Sequence, residues 1–233
     1  MIEIKGLTKK FKHKKVLDQV SFKLENGVYG MLGPNGAGKT TLIRCMLGLY
    51  PIQEGEINMD IFPYQIGYLP QNFSLLRELT VYDMLYYFAG LKKIQKERYE
   101  EAIDKALNFV NLAEYKKSRI AKLSGGMQRR VGIAQAILGE PPLMIFDEPT
   151  VGLDPEERKR FKDMLFELKQ DRVILFSTHI VGDLEEVCDR VIMMNEGKVI
   201  KTGMLQELCE TDKESKSLEE AYFKIMSESR EER

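Results

Sequence analysis

Two segments of this sequence, far apart along the chain, carry residues of the type and spacing that hold phosphate groups. The first runs from Gly33 to Thr40 and fits the P-loop pattern G-x-x-x-x-G-K-[ST]. Its glycines allow backbone N–H groups to converge on an anion that a Cβ would obstruct, and Lys39 can reach the outer phosphates of a nucleotide. The Thr40 hydroxyl can ligate Mg²⁺, and a helix beginning near Thr40 would add its positive end.

The second segment, Leu123 to Gln128, reads Leu-Ser-Gly-Gly-Met-Gln. Ser124 or Gly125 can cap a helix that we predict from Gly126 to Leu138. Because one P-loop satisfies one nucleotide, a second phosphate-binding turn predicts that the nucleotide is held between two protein surfaces.

Two acids, Asp147 and Glu148, follow the apolar run Leu143–Phe146. A buried strand that ends in two acids places them at the carboxyl edge of a sheet, where ligands bind in doubly wound folds. Asp147 can hold Mg²⁺ through its water shell, and Glu148 can act as general base toward an attacking water. The alternative is a solvated turn before Pro149.

Four isolated residues extend this set. Gln71 follows a short strand and could contact Mg²⁺ or the water, although a lone glutamine is usually a surface group. His179 follows another strand and could hydrogen-bond a γ-phosphate, or be structural. Asp154 before proline is a turn or helix cap, or a contact across a subunit interface. Phe11 could stack on adenine or belong to the core of a hairpin.

The surrounding pattern predicts the elements that position these residues. Met1 to Leu24 alternates like an antiparallel hairpin, and Gly27–Leu32 is a buried strand that enters the P-loop. Other predicted strands are 55–59, 66–69, 143–146, 172–177 and 190–194; predicted helices are 41–47, 80–88, 96–112, 126–138, 156–169 and 181–188, with a short terminal helix over 217–226. Strands alternating with helices predict an α/β fold with a mainly parallel sheet, interrupted by a helical insertion from Asn72 to Leu138.

Composition fits an ordinary globular protein: 43% of the 233 residues are hydrophobic, 30% are charged, and the formal net charge is −1. That charge gives no support for nucleic-acid binding, and we interpret the lysines between Lys9 and Lys15 as a solvated hairpin turn. No apolar run is long enough for a membrane span, and no signal peptide is visible. Three scattered cysteines form no metal-ligand spacing and fit a reducing cytosol.

Taken together, these residues resemble the nucleotide-binding domain of ATP-binding cassette (ABC) transporters over nearly the whole chain. Gly33 to Thr40 resembles the Walker A motif, Leu123–Met127 the signature motif and Leu143–Glu148 the Walker B motif. Gln71 resembles the Q-loop residue, Asp154 the D-loop acid, His179 the H-loop histidine and Phe11 the aromatic A-loop residue. Apart from the A-loop position of Phe11, six motifs stand in the correct order, and this makes the resemblance specific.

The resemblance implies a P-loop NTPase (RecA-like) core at residues 1–71 and 139–210, with an N-terminal antiparallel β subdomain. It further implies a helical signature subdomain at 72–138 and a C-terminal helical tail at 211–233. The implied catalytic residues are Glu148, His179, Gln71 and Lys39; the implied metal ligands are Thr40, Gln71 and Asp147; the implied ATP contacts are Phe11, Gly33, Pro34, Asn35, Gly36, Ala37, Gly38, Lys39, Thr40, Thr41, Ser124, Gly125, Gly126 and Asp154.

By the same resemblance, two such subunits pair head-to-tail around two Mg-ATP, with Ser124, Gly125 and Gly126 of one covering the ATP on the other. Hydrolysis would drive integral membrane permease subunits from the cytoplasmic face of the membrane, with docking near Phe73 to Leu79. No nucleic-acid partner is expected. Met127 departs from the family pattern, which more commonly has Gln after Ser-Gly-Gly. The Ser-Gly-Gly-Met-Gln-Arg-Arg run and the short, single-cassette chain are more similar to ABC-2-type exporter ATPases than to importer ATPases.

Two other functions compete with this one. A soluble ABC ATPase acting on ribosomes or DNA usually carries paired cassettes or long coiled coils, and this chain has neither. A nucleotide-binding module without turnover would not need Glu148 and His179.

Overall fold

The computed structural model describes residues 1–210 and 218–231. The strands are β1 (Ile2–Phe11), β2 (Lys14–Leu24), β3 (Gly27–Leu32), β4 (Glu54–Met59), β5 (Ile66–Leu69), β6 (Leu143–Asp147), β7 (Val173–Thr178), β8 (Arg190–Asn195) and β9 (Lys198–Met204). The α-helices are α1 (Lys39–Met46), α2 (Val81–Leu91), α3 (Tyr99–Phe109), α4 (Gly125–Ile137), α5 (Pro155–Leu168), α6 (Leu205–Glu210) and α7 (Leu218–Glu231). Short 3₁₀ turns lie at Pro63–Gln65, Lys96–Arg98, Ala113–Tyr115, Ile120–Lys122 and Val181–Asp183.

The chain forms two compact units. The first comprises Met1–Asp60 and Lys169–Arg233, and the second comprises Ile61–Leu168. These bounds describe spatial compactness, so the functional division at residues 72, 138 and 211 stays a prediction.

The first unit contains two groups of strands. β1 lies between β2 and β4 with antiparallel pairing on both sides, which confirms the predicted N-terminal hairpin. In the other group β3 lies between β7 and β8 with parallel pairing, and β9 pairs antiparallel with β8. β7 and nearly all of β3 are buried along their length, as expected of parallel strands covered on both faces.

The second unit combines the parallel pair β5–β6 with helices α2 to α5. α2 begins with a capping box: the Thr80 hydroxyl accepts a hydrogen bond from Asp83 N at 3.1 Å, and Asp83 Oδ2 accepts one from Thr80 N at 3.4 Å. The apolar positions that predicted this helix, Val81, Met84 and Leu85, are buried. The helical character predicted between Asn72 and Leu138 is therefore confirmed.

The predicted helix over 181–188 is wrong. Only Val181–Asp183 forms a 3₁₀ turn, and turns carry the chain to β8. Tertiary bonds override the helical spacing here: Thr178 donates a hydrogen bond to Asp183 Oδ2 at 3.2 Å, and Asp189 Oδ2 accepts one from Val28 N at 2.8 Å. The predicted helix over 96–112 is shortened to Tyr99–Phe109 by a 3₁₀ turn at its start.

Two elements, β9 and α6, were not predicted. The terminal helix is confirmed as α7, although Ser217, where it was predicted to start, lies outside the described residues.

Cys45 and Cys188 are buried, and burial raises the pKa of the Cys45 thiol.

The interpretation of the N-terminal lysines as a solvated turn is wrong for Lys9. Lys12 lies at the hairpin turn with a φ of 53° and is exposed, but the Lys9 side chain is only 4% exposed. Lys9 Nζ donates a hydrogen bond to Pro51 O at 2.6 Å, so a carbonyl 42 residues away satisfies the buried ammonium.

None of the helices in the described part of the chain is long and apolar enough to cross a lipid bilayer.

Lys92, which caps the C-terminal end of α2, carries a charge that burial disfavours. Its Nζ donates a hydrogen bond to Ala136 O in α4 at 2.9 Å, and burial lowers its pKa to about 8. Between pH 8 and 10.5 the unfolded chain therefore keeps a proton that the folded chain has lost. Folding stability contributed by this site must rise with pH across that window.

We expect Lys92→Met to be more stable than the wild type at pH 7, by up to roughly 3 kcal/mol, because it removes the buried charge. The difference should shrink as the pH rises from 8 to 10.5. Thermal unfolding of both proteins across this range is the measurement, with Lys96→Met as an exposed control from the same unit. Parallel pH profiles for wild type and Lys92→Met would contradict this assignment.

Candidate functional site

The P-loop of the first unit joins β3 to α1 through two left-handed glycines. Gly36 has a φ of 83° and Gly38 a φ of 104°, a region that residues with a Cβ rarely adopt. Gly38 is also the N-cap of α1, and its carbonyl accepts the first helical hydrogen bond, from Leu42 N at 2.9 Å. The predicted order of strand, loop and helix is confirmed, with the helix starting at Lys39.

The turn between β8 and β9 supports this loop. Gly197 N donates to Ala37 O at 2.9 Å, and Gly197 O accepts from Asp18 N at 2.9 Å. Gly33 passes so close to β8 that an added Cβ would lie 2.3 Å from Met194 O. Gly197 could not be predicted from local sequence, because its contact with the loop joins residues more than a hundred positions apart.

Lys39 folds back over its own loop. Its side chain is 5% exposed, and Nζ donates hydrogen bonds to Gly33 O at 2.7 Å and Pro34 O at 3.3 Å. Asn35 and Gly36 at the tip of the loop are exposed, whereas Thr40 and Thr41 are half-buried in the first turn of α1. The ammonium is thus held beside the backbone that would surround a phosphate.

His179 lies at the same edge of the first unit as the P-loop. Leu32, the last residue of β3, pairs with Thr178, the last residue of β7, so Gly33 and His179 leave neighbouring strands at the same level. Thr178 Oγ1 accepts a hydrogen bond from Ile180 N at 3.0 Å, which fixes the turn that presents the exposed His179. The expected position at a strand's carboxyl edge is confirmed.

Phe11 ends β1 and is 41% exposed, so it is not a core residue of the hairpin. One edge meets Tyr50 in a T-shaped contact with ring centroids 5.3 Å apart, and Lys9 Nζ lies 4.8 Å from the Phe11 ring centroid. Arg44 donates to the Tyr50 hydroxyl at 2.7 Å. Phe11 is therefore an exposed aromatic ring held from its sides; its role in stacking stays a prediction.

In the second unit the ends of β5 and β6 bring Gln71 and the two acids to one edge. Leu69 pairs with Phe146 in the parallel ladder. Asp147 is one residue beyond this pair and Gln71 is two residues beyond it, so both lie at the carboxyl ends of neighbouring strands. Asp147 is fully buried, and Glu148 is 4% exposed, whereas Gln71 is exposed. The alternative interpretation, a solvated acidic turn, does not fit this burial.

Glu148 has a φ of 50°, in the left-handed region that a residue with a Cβ enters at a cost of roughly 1–2 kcal/mol. Such strain is concentrated at functional sites. Arg129 of α4 donates from Nη2 to Glu148 O at 2.8 Å. Arg129 was not a candidate in the sequence analysis, since nothing local distinguishes it from a surface arginine.

Ser124 caps α4, as predicted, and α4 begins at Gly125. The Ser124 hydroxyl accepts a hydrogen bond from Met127 N at 3.2 Å, and no acid lies in the first turn. Ser124 and Gly125 are exposed, and a Cβ added to Gly125 would meet no atom within 4 Å. Gly126 faces Glu157. Ser124 and Gly125 are therefore accessible at the surface of this unit.

Asp154 caps α5. Its Oδ1 accepts a hydrogen bond from Glu157 N at 2.9 Å, so the local interpretation as a helix cap is confirmed. The side chain is nonetheless exposed, and a contact with a second subunit stays a prediction.

Comparison with known proteins gives a consistent result. The family model described as ABC transporter matches residues 17–151. An ABC transporter ATP-binding protein of Methanocaldococcus jannaschii is 38% identical over 210 residues, which cover 89% of this chain and 79% of that protein. A Nod factor export ATP-binding protein of Sinorhizobium fredii is 38% identical over 213 residues, which cover 87% of this chain and 62% of that protein.

Among solved structures, an ATP-binding subunit of an ABC transporter is similar over 97% of this chain and 99% of its own length. The TM-score is 0.87 and the sequence identity is 30%. The similarity covers both units, and with it the predicted fold class, a P-loop NTPase core of mainly parallel strands, is confirmed.

We expect Lys39→Ala to weaken ATP binding by about tenfold or more, because hydrogen bonds from a charged donor contribute roughly 1.5–3 kcal/mol. Equilibrium binding of ATP is the measurement. Lys201→Ala, which removes an exposed lysine of β9 in the same unit, is the control and should bind as the wild type does. Unchanged affinity in Lys39→Ala would place Lys39 away from the phosphates.

Proposed function

Because this chain belongs to the ABC transporter family and is an ABC ATPase, we propose that it pairs head-to-tail around two Mg-ATP and drives export through separate transmembrane subunits. The observation that carries the proposal is the combination of a P-loop with a second, exposed phosphate-binding turn at Ser124. A single subunit has no need of the second turn unless another copy uses it.

The P-loop residues from Gly33 to Thr41 hold the phosphates of ATP in this proposal. The left-handed conformations of Gly36 and Gly38 direct backbone N–H groups toward an anion, and the start of α1 adds its positive end. A Cβ added at Gly36 would meet no protein atom within 4 Å, so the tip of the loop leaves room for a group that approaches the backbone closely. Phe11 stacks on the adenine.

Mg²⁺ is assigned to Thr40, Gln71 and Asp147. A hydroxyl, an amide oxygen and a carboxylate are hard oxygen donors, which Mg²⁺ prefers, so the donor chemistry fits this metal. When bound, Mg²⁺ neutralises negative charge on the outer phosphate oxygens.

Glu148 takes the proton of the attacking water in this proposal, and His179 donates a hydrogen bond to the γ-phosphate and orients it. Glu148 is only 4% exposed, so its side chain is shielded from bulk water, which suits a base that must act on one ordered water. Gln71 contacts the same water or the metal.

The second copy contributes Ser124, Gly125, Gly126 and Asp154 to the nucleotide. The Ser124 hydroxyl and the N–H groups of the first turn of α4 bind anions, and no acid in that turn opposes them. ATP would thus join two copies, and its hydrolysis would release them.

The transmembrane partner is proposed to be an integral membrane permease that contacts Phe73 to Leu79 from the membrane, so that this chain works at the cytoplasmic face. Export is proposed because the Met-Gln-Arg-Arg run after Ser-Gly-Gly is similar to exporter ATPases, and because a relative is named as an export protein. Stable association with ribosomes in place of a membrane protein would favour the soluble alternative.

We expect Glu148→Gln to lower ATP turnover by roughly 10²–10⁴-fold while leaving ATP binding intact, because only the base is lost. The variant should accumulate as an ATP-bound dimer. Steady-state hydrolysis, ATP affinity and molar mass in solution with ATP are the measurements. Glu167→Gln, an exposed glutamate of α5, is the control. Wild-type turnover in Glu148→Gln would exclude Glu148 as the base.

We expect Ser124→Arg, added to Glu148→Gln, to abolish the ATP-dependent dimer, because a long side chain would fill the exposed turn. ATP affinity of the monomer should change by no more than a few-fold, since in this proposal its own P-loop binds the nucleotide. Molar mass with and without ATP checks this. A dimer that survives the substitution would contradict the head-to-tail arrangement.

A further inference from the structure

Arg129 lies on α4 in the second unit. Its side chain is half-buried, and burial lowers its pKa. Within residues 1–210 and 218–231 it makes no ion pair, and its Nε is buried with no hydrogen-bond partner. Its hydrogen bond goes to a backbone carbonyl, Glu148 O, at 2.8 Å.

The carbonyl that Arg129 binds belongs to Glu148, whose backbone is strained. Glu148 is left-handed, with a φ of 50°, and it precedes a proline, which further restricts its backbone. Apart from Arg129, the carbonyl accepts a hydrogen bond from Val151 N at 3.4 Å, which is long. Of these two hydrogen bonds the one from Arg129 is the shorter, and it acts on the backbone of the residue that carries the proposed base.

Phe73 supports Arg129 from the other side. The Arg129 guanidinium carbon lies 6.0 Å from the centroid of the Phe73 ring. That ring also packs against α4 one turn later, where a Cβ added to Gly132 would lie 2.8 Å from Phe73 Cε2. Phe73 is two residues beyond Gln71, so a contiguous set of contacts leads from that segment through α4 to Glu148.

A purely structural role explains this environment poorly. Burying a guanidinium without a carboxylate is unfavourable, and an apolar side chain of similar length would fill the same space without that cost. The favourable interactions that offset this cost are the hydrogen bond to the strained Glu148 peptide and the contact with the Phe73 ring.

We infer that Arg129 is a positioning residue for hydrolysis: it holds the Glu148 peptide, and Phe73 steadies it, so that the segment after Gln71 controls the placement of the base. The inference rests on the proposed function of Glu148 as general base. It assigns to Arg129 an effect on the chemical step and none on ATP binding.

The test compares Arg129→Met with the wild type. We expect kcat for ATP hydrolysis to fall by about tenfold or more, while the dissociation constant for ATP stays within about twofold. Arg129→Lys, which retains a charge and a donor, should recover part of the lost kcat. Arg98→Met, which removes an exposed arginine of the same unit, is the control and should keep the wild-type kcat.

Phe73→Ala tests the second contact. It should lower kcat in the wild-type background and cause little further loss when combined with Arg129→Met, since both changes release the same peptide. Independent, multiplicative losses would overturn the proposed connection between Phe73 and Arg129.

A wild-type kcat in Arg129→Met, or a loss that appears in ATP affinity with kcat retained, would overturn the inference. Thermal unfolding establishes that each variant is folded; should Arg129→Met fail to fold, Arg129→Gln, which retains a donor in a smaller side chain, gives the same kcat-against-affinity comparison. Glu148→Gln is measured beside them. Full turnover in that variant would overturn the proposed function, whereas an inactive Glu148→Gln with a fully active Arg129→Met would overturn only the role of Arg129.

Discussion

Backbone N–H groups can hold a polyphosphate only where the chain turns so that several of them surround one point. The P-loop of the first unit depends on this constraint. Gly36 and Gly38 provide the turn, but its position depends on β3, which is held between β7 and β8. The hydrogen bond from Gly197 to Ala37 then fixes the loop from the side of β9. A loop that binds an anion through its backbone must be rigid before the anion arrives, because ordering it on binding would reduce the affinity. The buried strands and the β8–β9 turn supply that rigidity.

The second unit positions carboxylates under a different constraint. Asp147 and Glu148 end a buried strand, so their placement is fixed by the backbone of β6 and by the conformation of the peptide that follows. The left-handed φ of Glu148 is unfavourable by itself, and the hydrogen bond from Arg129 offsets part of that cost. Since Arg129 lies on α4, whose N-terminus carries Ser124, one helix supports both the candidate base and the turn proposed to bind a second copy's nucleotide.

Expectations drawn from local patterns agreed with the structure where local physics decides the outcome. Ser124 caps α4 and Asp154 caps α5, because a cap involves residues three apart. The helix expected over 181–188 failed where Asp183 and Asp189 bond to distant partners. Lys9 was interpreted as solvated because its neighbours in the sequence do not indicate its surroundings. In the structure its ammonium lies among Pro51 O and the rings of Phe11 and Tyr50.

The sequence by itself determined the fold class, through the alternation of strands and helices. It also predicted from residue type and spacing which groups would carry the chemistry: the P-loop, the acid pair, Gln71, His179 and the Ser124 turn. Only the tertiary structure decided how these groups are held. The register of Leu32 with Thr178 places His179 beside the P-loop, and a bond between Arg129 and Glu148 spans 19 residues. The physical reason is range: hydrophobic periodicity and turn chemistry act over a few residues, whereas strand register and a buried hydrogen bond are fixed by packing between segments that the sequence alone does not bring together.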